Sequence, residues 1–198
     1  MIRLSSACAC LAFALAAVLS APVSADDLQE ARRLMAQGSL GSALDRVEAV
    51  LAKQPRDARA RFMKGVILTE QGKTPEAIKL FTALTEEFPE LPEPYNNLAV
   101  LYAAQGQDDK ARKALEMAIR THPTYATAHE NLGDIYAKMA REAYDKALQL
   151  DSGNSSARAK LALVRELFSQ KPGAQQAPVR ATVPEPPAAL PPPPAVVA

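Results

Sequence analysis

A constant spacing between glycine, alanine and proline landmarks constrains this chain more than any other feature of its sequence. Each residue type recurs at intervals of 34 residues through three copies: Gly38, Gly72 and Gly106; Ala43, Ala77 and Ala111; Pro55, Pro89 and Pro123. A glycine permits a tight turn, and a proline stops the helix that precedes it. A period of about 34 residues indicates stacked helical hairpins. We therefore expect an all-α fold, an α-solenoid.

The period and its residue types resemble the tetratricopeptide repeat family, over about residues 26–154. The best copy, residues 92–125, has Tyr95, Leu98, Ala99, Tyr102, Ala111, Leu115, Ala118 and Pro123 on the family pattern. The copy at residues 58–91 matches at Gly65, Leu68, Ala77, Phe81 and Pro89, and a weaker copy ending at Pro55 keeps Leu34, Gly38, Ala43 and Val47. The resemblance is specific for the fold and nearly silent on function.

The fourth copy is incomplete. In each repeat we call the first helix helix A and the second helix B. The helix A landmarks of the fourth copy are present: Leu132, Gly133 and Tyr136. Its helix B landmarks come five positions early, at Tyr144 and Ala147, so the residues of the turn between the helices are missing. The range 126–150 contains no proline and one glycine. We expect one continuous helix over 126–150, and then a capping helix over 155–169 with Ser155 or Ser156 as its N-cap.

Residues 1–25 have the composition of an export signal. Arg3 supplies a positive charge, residues 7–19 form an uncharged, mostly apolar run, and residues 23–25 are small. An uncleaved membrane anchor is the alternative, but the apolar run is too short to cross about 30 Å of hydrocarbon as a helix. We expect cleavage after Ala25, a periplasmic product with no stable membrane span, and a mature chain without cysteine.

The other end of the chain is rich in proline. Nine of the 16 prolines lie at or after Pro172. Such a segment lacks the apolar residues for a core, so we expect a disordered tail over 171–198 that acts as a spacer or docks on an aromatic groove. The repeat domain then spans residues 26–170, divided into repeats at about 26–57, 58–91 and 92–125, a degenerate repeat at 126–154 and the capping helix.

Charge and composition narrow the function classes. Loss of Arg3 leaves 22 basic and 22 acidic residues, so there is no basic excess to hold nucleic acid. The segment Gly72-Lys73-Thr74 lacks the first glycine of a phosphate loop and follows a predicted helix, so no cofactor is expected. His129, Glu130 and Asp134 form the one mixed cluster, which is too small for a metal site and differs from the His-Glu-x-x-His pattern. We predict no catalytic residue and no metal ligand.

Protein binding is better supported. The resemblance implies that helix A residues line a concave groove, at these positions: Arg59, Phe62, Met63, Val66, Glu93, Asn96, Asn97, Val100, Thr127, Glu130, Asn131 and Asp134. Asn97 and Asn131 are one repeat apart and are expected one above the other. Their amides can bind the backbone of an extended peptide, or alternatively bond the backbone of a neighbouring helix.

The composition of this predicted groove indicates its ligand. It is apolar in the middle and acidic towards Glu93, Glu130 and Asp134, which favours an extended peptide with apolar anchors and some basic residues. We expect a non-catalytic periplasmic scaffold that binds a segment of another envelope protein. One alternative is a structural protein that self-associates through the helix at 126–150, as a homo-oligomer, and another is an enzyme.

Overall fold

The computed structural model describes residues 23–169, so the expected Pro-rich tail and nearly all of the expected export signal lie outside the described residues. Within this range the chain is all α-helical, as the repeat pattern predicts. The helices are α1 (Val23–Ala36), α2 (Leu40–Lys53), α3 (Ala58–Glu70), α4 (Thr74–Glu87), α5 (Pro92–Ala104), α6 (Asp108–Thr121), α7 (Ala126–Leu150) and α8 (Ser155–Ser169).

Three hairpins, α1–α2, α3–α4 and α5–α6, are closed by the same turn. Its glycines Gly38, Gly72 and Gly106 have φ of 74°, 73° and 70°, a left-handed conformation that glycine adopts without strain. In the second turn, the Gly72 N–H donates to the Thr69 carbonyl at 3.0 Å and the Lys73 N–H donates to the Leu68 carbonyl at 2.9 Å. This pair of bonds is a Schellman motif, and it recurs in the other two turns.

The helices of the second hairpin cross closely because one of them carries a very small residue. A Cβ added to Gly65 of α3 would lie 2.6 Å from Cζ of Phe81 in α4, closer than real contacts allow. Phe81 is fully buried and its ring packs on that of Phe62 at a centroid distance of 5.4 Å. The glycine thus lets an aromatic side chain fill the space between two helices.

Over the described part of the chain, two apolar clusters run along the solenoid. The first joins α1, α2 and α3 through Leu28, Ala31, Ala43, Val47, Val50, Ala60, Met63 and Ile67. The second extends from α3 to α7 and includes Phe62, Val66, Phe81, Leu84, Leu98, Leu101, Leu115 and Ile135. Each helix packs mainly on its neighbours in sequence, and in addition α3 contacts α5 and α5 contacts α7. The first helices of successive hairpins, called helix A below, therefore form one layer.

Helix α7 is continuous over Ala126–Leu150, with the bounds that the sequence predicts. It packs on α6 and on α8, and Lys138 Nζ lies 2.7 Å from Asp108 Oδ1 of α6. The expected cap of α8 was wrong by one position, because the Ala157 N–H donates to Oδ1 of Asn154 at 2.9 Å and not to a serine. Among the residues described, no helix combines the length and apolar character that a membrane crossing requires.

Candidate functional site

The predicted groove residues lie on the helix A layer, on α3, α5 and the first half of α7, which we call the helix A face. Their exposure differs by residue type. The apolar and amide members are buried: Phe62, Met63, Val66, Asn96, Asn97, Val100 and Asn131. Glu93, Thr127 and Asp134 are half-buried, and Arg59 and Glu130 are exposed.

The apolar members of this face are also part of the core. Met63 belongs to the cluster shared by α1, α2 and α3, whereas Phe62, Val66 and Val100 belong to the larger cluster. Their burial explains why the sequence carries apolar residues at these positions independently of any ligand. The charged members are the ones that solvent reaches, so they are the better targets for substitution.

The asparagine side chains link the layers of the solenoid in an unexpected register. The Asn131 amide donates to Oδ1 of Asn96 at 2.7 Å, between α7 and α5. The Asn97 amide donates to the Glu93 carbonyl of its own helix at 2.9 Å. The hydrogen bond between the repeats therefore joins Asn131 to Asn96 and not to Asn97. Asn97 bonds the backbone of its own helix and not that of a neighbouring helix. A role of these amides in peptide binding stays a prediction.

A cleft of about 280 Å³ lies where the N-terminal ends of α3 and α5 meet the loop before α7. Apolar side chains in its wall include Phe62, Leu84, Pro94 and Tyr125, and the charged lining residues are Arg59, Glu90 and Glu93. The two lining carboxylates, Glu90 and Glu93, outnumber the one guanidinium, Arg59. Arg59 also forms an ion pair with Asp57 at 3.2 Å, which partly offsets its positive charge. An apolar wall with excess negative charge suits a cationic side chain that has an apolar stem.

Reasoning from repeat positions identified Arg59, Phe62 and Glu93 of the cleft but missed apolar lining residues such as Pro94 of α5. It also missed Glu90 and Tyr125, which lie outside helix A, in the links that follow α4 and α6. A signal for them was available, since each lies within two positions of a repeat-closing proline, Pro89 or Pro123.

Asp57 fixes the start of α3 beside this cleft. Its carboxylate accepts from the N–H groups of Arg59 at 2.9 Å and Ala60 at 3.0 Å, as an N-cap does.

An ion pair joins α3 to the end of α4. At the C-terminal end of α4, the Glu87 carboxylate accepts two hydrogen bonds from Arg61, at 2.7 and 2.9 Å. These hydrogen bonds, together with the positive charge of Arg61, hold the pKa of Glu87 below its ordinary value.

The one mixed cluster of the sequence does not assemble a metal site. His129 Nε2 lies 2.9 Å from the Pro123 carbonyl, at the start of α7. Within residues 23–169, no three histidine, cysteine or acidic side chains lie close enough to share a metal ion.

Comparison with known proteins agrees with this geometry. Two models of the tetratricopeptide repeat match the chain, over residues 28–92 and 68–133. The chain is 26% identical over 136 residues to the tetratricopeptide repeat domain-containing protein PYG7, chloroplastic, of Arabidopsis thaliana. That match covers 64% of this chain and 45% of the relative, so this chain spans less than half of that protein.

Solved structures share the fold at low sequence identity. The thermophilic tetratricopeptide protein TTC0263 of Thermus thermophilus superposes with a TM-score of 0.55 at 23% identity, covering 73% of this chain and 82% of its own. The Sgt2 tetratricopeptide domain of Aspergillus fumigatus superposes with a TM-score of 0.56 at 16% identity, covering 60% of this chain and 80% of its own. These likenesses concern the fold alone.

Proposed function

Because the chain belongs to the tetratricopeptide repeat family, we propose that this protein is a non-catalytic scaffold that binds an extended segment of another protein on its helix A face. Helix A surfaces of such solenoids are extended, and successive repeats present equivalent positions to a ligand. The scaffold would act by recruiting its partner, without covalent chemistry.

The single observation that carries this proposal is the cleft between α3, α5 and the loop before α7. It combines an apolar wall with carboxylates at Glu90 and Glu93, and Glu130 and Asp134 add further negative charge on α7. A peptide that places a lysine or arginine over this region, with apolar residues beside it, would match both properties. Its backbone would then continue along α5 and α7.

We further propose that the partner resides in the bacterial envelope. This part rests on the composition of residues 1–25. Cleavage after Ala25 would leave a mature chain that starts with Asp26 and Asp27, and acidic residues suit the first turn of a helix because they interact favourably with the helix dipole. Sequencing of the N-terminus of the protein purified from the periplasmic fraction tests this step: a start at Asp26 supports it, and a chain retained in the cytoplasm with its first residues intact overturns it.

Charge reversal on the helix A face tests binding. The double variant Glu93→Lys/Glu130→Lys reverses two charges on α5 and α7, and Glu76→Lys/Glu86→Lys makes the same change at exposed positions of α4. We expect affinity capture from an envelope extract to recover a protein with the wild type and with the α4 variant but not with the helix A variant. Equal capture by all three forms would refute binding at this face.

A further inference from the structure

In the described part of the chain, the first half of α7 lacks the helix that covers its equivalents in the preceding hairpins. Gly133 is the counterpart of Gly65, two repeats further along the chain. A Cβ added to Gly65 would meet Phe81 at 2.6 Å, whereas a Cβ added to Gly133 would have no described atom within 4 Å apart from those of its own helical turn. Tyr136, the counterpart of the half-buried Tyr102, is 49% exposed. The fourth helix A therefore has an open slot on the side where a helix B would pack.

The helix B that would fill this slot is present in the chain but cannot reach it. The landmarks of α4 and α6 are each fully buried: Ala77, Phe81 and Leu84 in α4, and Ala111, Leu115 and Ala118 in α6. Their counterparts in the fourth repeat, five positions early, are only half-buried: Ala140, Tyr144 and Ala147. These residues lie in the second half of α7. Because α7 is one continuous helix, its second half extends away from the first half and cannot fold back on it.

We propose that two copies of this chain exchange the second half of α7. In this swapped dimer, the second half of α7 from one copy fills the slot on the first half of α7 of the other. Tyr144 would pack over Gly133 of the second copy, as Phe81 packs over Gly65 within one chain. The two α7 helices would run antiparallel, and the two-fold axis would cross at the level of residues 138–139, between Ala137 and Ala140 on the slot side.

The occupant must be a second copy because the slot and the side chains that fill it are two parts of one repeat. At about 100° per residue, five positions of α7 fall on one side of the helix: Gly133, Ala137, Ala140, Tyr144 and Ala147. The small residues allow two helices to approach closely, and the aromatic residue fills the space opposite a glycine. Helix α7 thus carries the slot in its first half and, in its second half, the side chains that fill the equivalent space in the complete repeats.

The position of α8 is consistent with this arrangement. In the complete repeats, each helix B also contacts the helix A that follows, as α4 contacts α5 and α6 contacts α7. Helix α8 packs on α7, with Arg165 3.2 Å from Asp145 and Lys160 over the Tyr144 ring at 5.9 Å. Exchange would carry α8 along and continue the solenoid of the other copy.

Restoration of the missing turn provides the decisive experiment. The variant inserts Ala-Gln-Gly-Gln-Asp, a copy of residues 104–108, between Ala137 and Lys138. The insertion gives the fourth repeat the length of the third and lets its helix B fold back on its own helix A. By light scattering on the purified full chain, we expect a dimer for the wild type and a monomer for the insertion variant, with unchanged helix content.

A point substitution tests the contact itself. Gly133→Leu has open space among the described residues of a single copy but would collide with Tyr144 in the swapped dimer. We expect it to raise the dimer dissociation constant by about tenfold or more. Glu142→Leu, on the opposite side of α7 and also exposed, is the matched control and should leave the dissociation constant unchanged.

Either of two results would overturn the inference: a wild type that is monomeric at all concentrations, or a dimer that survives the insertion. Partner binding is tested separately by Glu93→Lys alone, because Glu93 lies on α5 and not on α7. Glu130 lies seven positions before Ala137 on α7 and therefore close to the slot, so its reversal is not used to separate the two proposals.

Discussion

The close contact between Gly65 and Phe81 gives the sharpest prediction about stability. Gly65→Ala places a Cβ 2.6 Å from Cζ, 2.7 Å from Cε1 and 3.1 Å from Cε2 of Phe81. The ring cannot easily withdraw, because it is fully buried and packed on Phe62. Two effects oppose each other. Alanine favours the helix over glycine by about 1 kcal/mol, and overpacking of a core costs about 1–3 kcal/mol.

We therefore expect Gly65→Ala to lower the free energy of unfolding by about 1 kcal/mol, and Gly65→Leu to lower it by more. Guanidinium unfolding followed by far-UV circular dichroism measures this change, with an unchanged slope against denaturant as the check on two-state behaviour. Gly41→Ala in α2 is the control, because no described residue lies within 4 Å of its Cβ and the change should be neutral or stabilising.

A third variant isolates the contact. Phe81→Leu shortens the side chain that meets the new methyl group, so the double variant Gly65→Ala/Phe81→Leu should be more stable than the sum of the two single changes indicates. An increase of about 1 kcal/mol in the free energy of unfolding for Gly65→Ala alone, as helix propensity gives, would contradict the predicted clash with Phe81.

Two further predictions concern the charged groups of α3 and α4. Asp57→Ala removes the N-cap of α3 and should lower the free energy of unfolding by about 0.5–2 kcal/mol in chemical denaturation, whereas Asp57→Asn should retain most of the cap, and equal losses for both would contradict the capping role. The Glu87 carboxyl has a folded-state pKa below its ordinary value of 4.5, so it contributes stability above that pH and loses it as the pH falls through the folded-state pKa. Titration by NMR should give a lower midpoint for Glu87 than for the same residue in Arg61→Gln, and equal midpoints would contradict the pairing.

The sequence predicts most of this fold because its repeat period is tied to backbone geometry. The glycine at each turn is required by a left-handed φ, and the loss of the turn residues from the fourth repeat explains why α7 continues where earlier repeats fold back. The N-cap of α8 was misassigned because serine and asparagine cap helices equally well, so the residue types at 154–156 do not fix the boundary.

The candidate site was less predictable. The period identifies which residues share a face, but it does not determine which rotamer each amide adopts. Asn97 bonds the backbone of its own helix, and Asn96 receives the bond from Asn131. The cleft is also partly lined by residues that follow helix B, whose placement depends on how the links between hairpins pack against α3 and α5.

Packing of each helix mainly on its neighbours in sequence has a consequence for how the chain folds. Contacts between elements close in sequence give a low contact order, which favours rapid folding. The C-terminal end of the described solenoid can then fray while the central hairpins stay intact, because α8 packs there mainly on α7. Association of two copies through this end would therefore leave the central hairpins folded, because the second half of α7 already extends away from the first half in a single copy.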